Sequence, residues 1–261
     1  MLGTRVINSV REKLARAAWL MRLILKGRFD YLRYAVWVRW KGLDFNYVSL
    51  ERLGFSPSHS VHHSPSGGVF LSDVLKEIDI PPGSRVVDLG CGKGSALCTL
   101  AQFPFELVAG VELSVPLARA AEANARKLGL AIQVHRSDAA EFQHQLDQFS
   151  HIYMFNPFPN KVMRDVMKNV AASLIRRPRQ LTVIYHFPVC GDVVANSGLF
   201  TTDKAFDVGL THPYRVFVHP APPGRDPISM APAVSRWSRT AFLTTKTLIL
   251  GLLAPELAME V

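Results

Sequence analysis

The residues with the plainest chemical purpose form one short turn, Asp88-Leu89-Gly90-Cys91-Gly92-Lys93-Gly94. Alternating glycines let a backbone turn tightly and come close to a ligand. The dinucleotide fingerprint G-x-G-x-x-G needs a glycine where Ser95 stands, and the phosphate loop G-x-x-x-x-G-K-[ST] does not occur. An acid two residues ahead of the first glycine would repel a pyrophosphate; it suits a ligand with a positively charged amino acid end and no phosphate. Cys91 has no histidine in the turn to activate a thiolate, so Cys91 and Cys98 read as small packing residues. Farther along, Asn156-Pro157-Phe158 offers an amide, a carbonyl and a ring. His186 offers either a proton acceptor near neutral pH or a buried imidazole satisfied by backbone. His62 and His63 read as surface residues of a loop, with general-base work as the alternative. No second His/Cys pair has zinc-ligand spacing, so no metal is expected.

These residues must be positioned by the elements around them. Arg85–Leu89 is an apolar run containing the acid, a buried parallel strand. Residues 94–102 read as helix and Leu107–Glu112 as strand. Residues 116–128 read as a helix opening with Ser114 as N-cap and a proline at its start. The alternation continues: strand 131–136, helix 139–146, strand His151–Phe155, helix 161–175, strand Leu181–His186. Residues 200–208 and Tyr214–His219 read as two strands able to form a hairpin. Before the first strand, 56–68 is a Ser/His/Pro/Gly-rich loop and 69–78 a helix ended by Pro81-Pro82-Gly83. The pattern predicts an α/β fold: an open seven-stranded, mostly parallel sheet with helices on both faces and the last strand antiparallel, preceded by an N-terminal helical arm.

With the motifs so placed, the stretch Val86-Val87-Asp88-Leu89-Gly90-Cys91-Gly92-Lys93-Gly94 resembles motif I of the class I (Rossmann-like) S-adenosylmethionine-dependent methyltransferases, and the order of the later features is similar to theirs over residues 65–220. That resemblance implies S-adenosylmethionine as cofactor, a ligand with a sulfonium, an ammonium and a ribose. It implies cofactor-binding roles for Asp88, Gly90, Gly92 and Gly94. It places Glu112, at the end of the second strand, on both ribose hydroxyls, since a carboxylate can accept two hydrogen bonds from a diol. Asp138 and Ala139, after the third strand, fall at the adenine; Asp138 would serve equally as a helix N-cap.

The motif after the fourth strand, Asn156-Pro157-Phe158, resembles the (D/N)-P-P-(Y/F) motif of methyltransferases acting on planar or amide nitrogens, with one proline missing. By that resemblance Asn156 touches the cofactor, Asn156 and the Pro157 carbonyl accept an N–H of the methyl acceptor, and Phe158 stacks on the target. The same residues would also make a rigid turn. The bacterial-type pattern further resembles the lysine methyltransferases of the disruptor-of-telomeric-silencing type, which place a loop such as 62–66 over the methionine end of the cofactor. Catalytic candidates are therefore Asn156, Pro157, Phe158 and His186. The activity implied is methyl transfer to a nitrogen of a small molecule or a protein side chain.

Charge bears on partners. The chain has 261 residues and a formal charge of +9, which by itself suggests nucleic acid or an anionic membrane. Residues 1–41 hold ten basic side chains and two acidic ones, +8, so the remaining 220 residues carry +1. A nucleic-acid methyltransferase would spread basic groups around its catalytic rim, and that reading ranks below a small-molecule or protein acceptor. The arm has helical periodicity from Ile7 to Leu25, a stop at Gly27, and an aromatic-rich stretch 31–40. It can be a lid over the pocket, a peripheral membrane anchor or a targeting segment. The organisation read from these shifts is 1–55 basic helical region, 56–222 methyltransferase domain, 223–261 C-terminal extension. The apolar run 248–253 would make a packing helix, a homodimer contact or a membrane contact. Three cysteines with no CxxC pair exclude a disulfide scaffold and point to a reducing, cytoplasmic setting.

Overall fold

The computed structural model describes residues 28–54, 63–207 and 213–223, together with Ala18, Met21 and Leu25. The chain divides into two units, Met1–Pro227 and Ile228–Val261, and all described residues belong to the first. The helix expected over 7–25 falls for the most part, and His62, residues 224–261 and the run 248–253 fall entirely, outside the described residues.

Seven strands form one sheet: β1 Arg85–Leu89, β2 Leu107–Glu112, β3 Ile132–Arg136, β4 His151–Phe155, β5 Leu181–His186, β6 Thr202–Phe206 and β7 Tyr214–His219. Their order across the sheet is β3-β2-β1-β4-β5-β7-β6. Pairings among β1 to β5 are parallel, and β7 runs antiparallel to both β5 and β6. The last strand is thus inserted between β5 and β6, and the strand order reverses between β1 and β4. An open α/β sheet binds its ligands beyond the carboxyl ends of the strands at such a reversal. The central strands read as unbroken apolar runs because both faces are covered: Val86, Val87, Leu89, Ile152, Tyr153, Met154, Val183 and Ile184 are all buried.

The helices are α1 Phe29–Trp40, α2 Leu50–Leu53, α3 Val69–Lys76, α4 Ser95–Leu100, α5 Val115–Lys127, α6 Asn160–Arg176 and α7 Gly191–Ala195. One core cluster joins one face of the sheet to α6 and α7 through Met163, Val166, Val170, Phe149 and Phe217. A second joins the other face to α3 and α4 through Leu71, Leu75, Leu97 and Tyr214. Among the described residues no helix is long and apolar enough to cross a membrane.

One expected element is corrected. Residues 139–146 do not form a helix; turns lead to a short 3-10 segment, His144–Gln148. The Asp138 carboxylate takes the Ala140 N–H at 2.8 Å, which begins a turn. The Arg179 guanidinium satisfies the Leu146 and Phe149 carbonyls at 2.8 and 2.7 Å, so the chain end needs no helical partners. Helix α7 carries no helical signal in the sequence, because five residues are too few to show an apolar periodicity.

Candidate functional site

A cleft of about 740 Å³, part of it open to solvent, lies at the carboxyl ends of β1, β2, β3 and β4. Its wall includes Gly90, Cys91 and Gly92 from the turn after β1, Glu112 and Leu113 from the end of β2, Ser137, Asp138 and Ala139 after β3, and Phe155, Asn156, Pro157 and Phe158 at the end of β4. Four successive strands therefore deliver their terminal residues to one space. Leu53, His63, Ser64 and Ser66 complete the wall from the N-terminal side.

Glu112 is the electrostatic centre of this wall. One carboxylate oxygen accepts the Gly92 N–H and the other the Ser114 N–H, each at 2.8 Å. The carboxylate thus ties the glycine turn to the start of α5. Burial pushes its pKa up, partly countered by those N–H donors. Asp88 is 2% exposed, and burial with Glu112 nearby pushes its carboxyl well above the ordinary range. Two buried acids beside a glycine turn favour a cationic or hydroxyl-bearing ligand over a phosphate, which agrees with the reading of the sequence.

His63 departs from expectation. It is 8% exposed, against the surface position read from its loop. Its backbone forms an antiparallel bridge with Val48, at 3.0 and 3.1 Å, and its ring lies so close to Gly92 that a Cβ there would overlap Nδ1. Its Nε2 is buried without a protein partner. Burial first, and the Lys93 ammonium second, push its pKa down to about 4, so the ring is neutral near pH 7. The unfolded chain then binds more protons than the folded one between the ordinary value of 6.5 and about 4. His63 therefore removes stability as pH falls through that window. Asp88, shifted upward, acts in the opposite sense, and His151, shifted downward by burial, acts in the same sense. Comparing His63→Phe with the parent isolates the term: chemical denaturation between pH 7 and pH 4.5 should show the variant losing roughly 2 kcal/mol less than the parent.

The N-terminal side is fastened by a second set of bonds. Lys93 Nζ, on a side chain 9% exposed, contacts both Asp44 oxygens at 2.8 Å. Asn124 donates to the Asp44 and Lys93 carbonyls at 2.9 and 3.0 Å and accepts the Asp44 N–H at 3.0 Å. Ser66 and Gly67 N–H both donate to Ser95 Oγ, at 2.9 and 3.2 Å, and Gly68 N–H donates to Thr99 Oγ1 at 2.8 Å. The loop after His63 is thereby laid along α4.

The fourth-strand turn is held in an unusual backbone state. Asn156 has φ 36°, a left-handed conformation that asparagine tolerates better than most residues. Its N–H donates to the His186 carbonyl at 3.1 Å. Phe158 is 7% exposed and sits in the core with one edge on the cleft, so it is a wall rather than a free stacking ring. His186 lies beneath the cleft and not on its wall. Its ring stacks on Tyr214 at 4.0 Å and approaches Phe155 at 4.4 Å, and Nδ1 pairs with the Tyr153 hydroxyl at 3.3 Å. Asp88 and Gly94 are likewise absent from the wall; Gly94 caps α4 where that helix meets Ala121. The cysteines Cys91, Cys98 and Cys190 are buried free thiols, Cys98 pushed up to about 12 by burial, as suits packing residues.

Residues 86–176 match a family model described as a methyltransferase domain. Over that segment the chain is similar to methyltransferase domains. The uncharacterized protein YjhP of Escherichia coli (strain K12) is 32% identical over 92 residues, 34% of this chain and 37% of YjhP, so the chain spans little more than a third of that relative's length. Among solved structures, the PH0226 protein of Pyrococcus horikoshii OT3 is 18% identical, covering 57% of this chain and 87% of that one at a TM-score of 0.45. A SAM-dependent methyltransferase of Aquifex aeolicus is 17% identical, covering 56% and 87% at a TM-score of 0.43.

The turn after β1 and the acids at the ends of β2 and β3 are the residues whose resemblance implies S-adenosylmethionine as the group for this cleft. The residues present fit that group. A buried carboxylate at the end of β2 faces a cleft whose floor is a glycine turn, and Asp138 and Ala139 stand at its far end. His63 lines the same cleft, and its buried Nε2, without a protein partner, leaves one hydrogen-bonding position for a polar ligand group to satisfy.

Proposed function

We propose that this methyltransferase transfers a methyl group from S-adenosylmethionine to a nitrogen of a small molecule or a protein side chain. The observation that supports the nitrogen reading most directly is the strained Asn156 turn at the end of β4, held on the cleft wall by the His186 carbonyl. Such a turn presents two acceptors, the Asn156 amide oxygen and the Pro157 carbonyl, to an N–H donor. Bound S-adenosylmethionine supplies an electrophilic methyl carried on a sulfonium.

The chain's own residues have four tasks. Glu112 orients the ribose, with Asp138 and Ala139 at the adenine end. Asp88 offsets positive charge at the methionine end from behind the wall, and the backbone of Gly90 and Gly92 lines that end. Asn156 and Pro157 align the acceptor nitrogen by accepting its hydrogen. Phe155 and Phe158 exclude water from the transfer path, and His186 holds the turn through its carbonyl. Positioning of this kind can supply several kcal/mol of barrier reduction, up to about 7–11 in well-oriented systems. In-line displacement asks little acid–base chemistry of the protein when the nucleophile is already neutral.

Replacing Asn156 by Ala should lower turnover about 100-fold while leaving affinity for S-adenosylhomocysteine within about threefold, read by single-turnover assay and calorimetry. Mass spectrometry of the product decides the atom; an O-methylated product would end the nitrogen reading.

The near-neutral body disfavours a nucleic-acid acceptor, because only the arm is strongly basic. We assign the arm to docking at a surface, and the setting to the cytoplasm, where three buried free thiols stay reduced. Homodimerisation through the C-terminal extension belongs to the same proposal. So does the division into 1–55, 56–222 and 223–261.

A further inference from the structure

Helix α1 carries apolar residues on both sides. Its inner side packs on the body: Tyr31 meets Phe70 at 5.8 Å, Tyr34 covers Gly68, and Trp37 and Val38 join the cluster of Leu43, Phe45 and Cys98. Its outer side should then be polar, as on an ordinary surface helix. It is not. Phe29, Val36 and Trp40 are 57%, 69% and 68% exposed. With Arg33 they stand at positions i, i+4, i+7 and i+11, one continuous stripe. Arg33, Arg39 and Lys41 are exposed around it, and Lys41 Nζ lies 4.6 Å over the Trp40 ring. The one acid of the helix, Asp30, is already paired with Arg28. Upstream, Met21 and Leu25, four residues apart, are exposed by 58% and 79%.

We infer that the outer face of α1 docks on an anionic lipid bilayer, with Phe29, Val36 and Trp40 in the headgroup–acyl boundary and Arg33, Arg39 and Lys41 at the phosphates. This deepens the docking role of the arm and names its partner. Three features select lipid. Aromatic and aliphatic groups ringed by arginine and lysine match the layered polarity of a membrane surface, where apolar burial and charge attraction add. A twelve-residue helix is about 18 Å long and lies on a bilayer rather than spanning it. A second copy of this chain would bring two +8 segments together across the same face, and nucleic acid would leave Phe29 and Val36 in water.

The test is co-sedimentation of the full-length chain with phosphatidylcholine vesicles, with and without phosphatidylserine, at low and high salt. Strong partition onto the anionic vesicles, weak partition onto the neutral ones, and loss in high salt are expected. Val36→Asp with Trp40→Asp should weaken partition at least about tenfold while leaving S-adenosylhomocysteine affinity unchanged. Equal binding to both vesicle types, no binding to either, or undiminished binding by the variant overturns the inference. A parent dimer that the same substitutions dissolve overturns it in favour of a second copy. Failure to bind S-adenosylhomocysteine would count against the methyltransferase reading alone, since vesicle binding is measured without that ligand.

Discussion

Replacing Glu112 by Ala should weaken binding of S-adenosylhomocysteine by at least about 100-fold in calorimetry. A carboxylate that grips a ribose diol makes two charge-assisted hydrogen bonds, each worth about 1.5–3 kcal/mol. Their sum is about 3 kcal/mol or more, and each 1.4 kcal/mol is about tenfold in affinity. The substitution also strips the Gly92 and Ser114 N–H groups of their shared acceptor. The free protein should therefore melt earlier, by an amount set by about 1–3 kcal/mol for each orphaned donor. Glu112→Gln keeps the size of the side chain and one good acceptor, so it should fall between parent and Ala in both readouts. Asp88→Ala should act more weakly, about tenfold, because Asp88 stands behind the cleft wall. If Asp88→Ala and Glu112→Ala bind as well as the parent, the ligand does not occupy this cleft.

Gly67→Ala should destabilise the protein by about 3–5 kcal/mol in chemical denaturation, with no ligand present. The loop lies so tightly on α4 that a Cβ at Gly67 would overlap the Ser95 carbonyl oxygen, and it would come within 2.9 Å of the Ala96 nitrogen. These are backbone atoms of a helix, so no side-chain rotation relieves the clash, and losses of this size are the exceptional, diagnostic ones. Relief would require lifting the loop, which also breaks the Ser66 and Gly67 bonds to Ser95 Oγ and the Gly68 bond to Thr99. Because His63, Ser64 and Ser66 are on the cleft wall, ligand affinity should fall with stability. A loss under about 1 kcal/mol would mean that the loop does not rest on α4 in solution.

Much of the sheet was legible in the sequence, for a physical reason. β1, β2, β4, β5 and β7 have the bounds read from their apolar runs, because a strand buried on both faces has few polar residues to blur its ends. Helices α5 and α6 were read to within a residue from their 3.6-residue periodicity. The stretch 139–146 misled because its apolar residues Phe142 and Leu146 are helix-spaced, while the groups that replace helical bonding, Asp138 and Arg179, include one far along the chain. In the site, Gly90, Gly92, Glu112, Asp138, Ala139 and Asn156 reach the cleft wall, each at a strand end that could be read locally. His186 and His63 were harder. Whether a strand-end or loop histidine is buried depends on partners such as Tyr214, Val48 and Gly92, which local patterning does not reveal.

The bridge between Val48 and His63 and the bonds from Asp44 to Lys93 and Asn124 have one more consequence. The segment recognisable by kinship begins at residue 86, yet the cleft takes part of its wall from Leu53 and His63. What is shared with methyltransferase domains and what is assembled into the cleft thus have different ends. A protease cut between residues 54 and 63 would leave all seven described strands intact and convert the segment that carries Asp44 and Leu53 into a separate, dissociable piece. Such a nicked protein would behave as a two-fragment complex, its ligand affinity sensitive to dilution in a way that the uncut chain's is not.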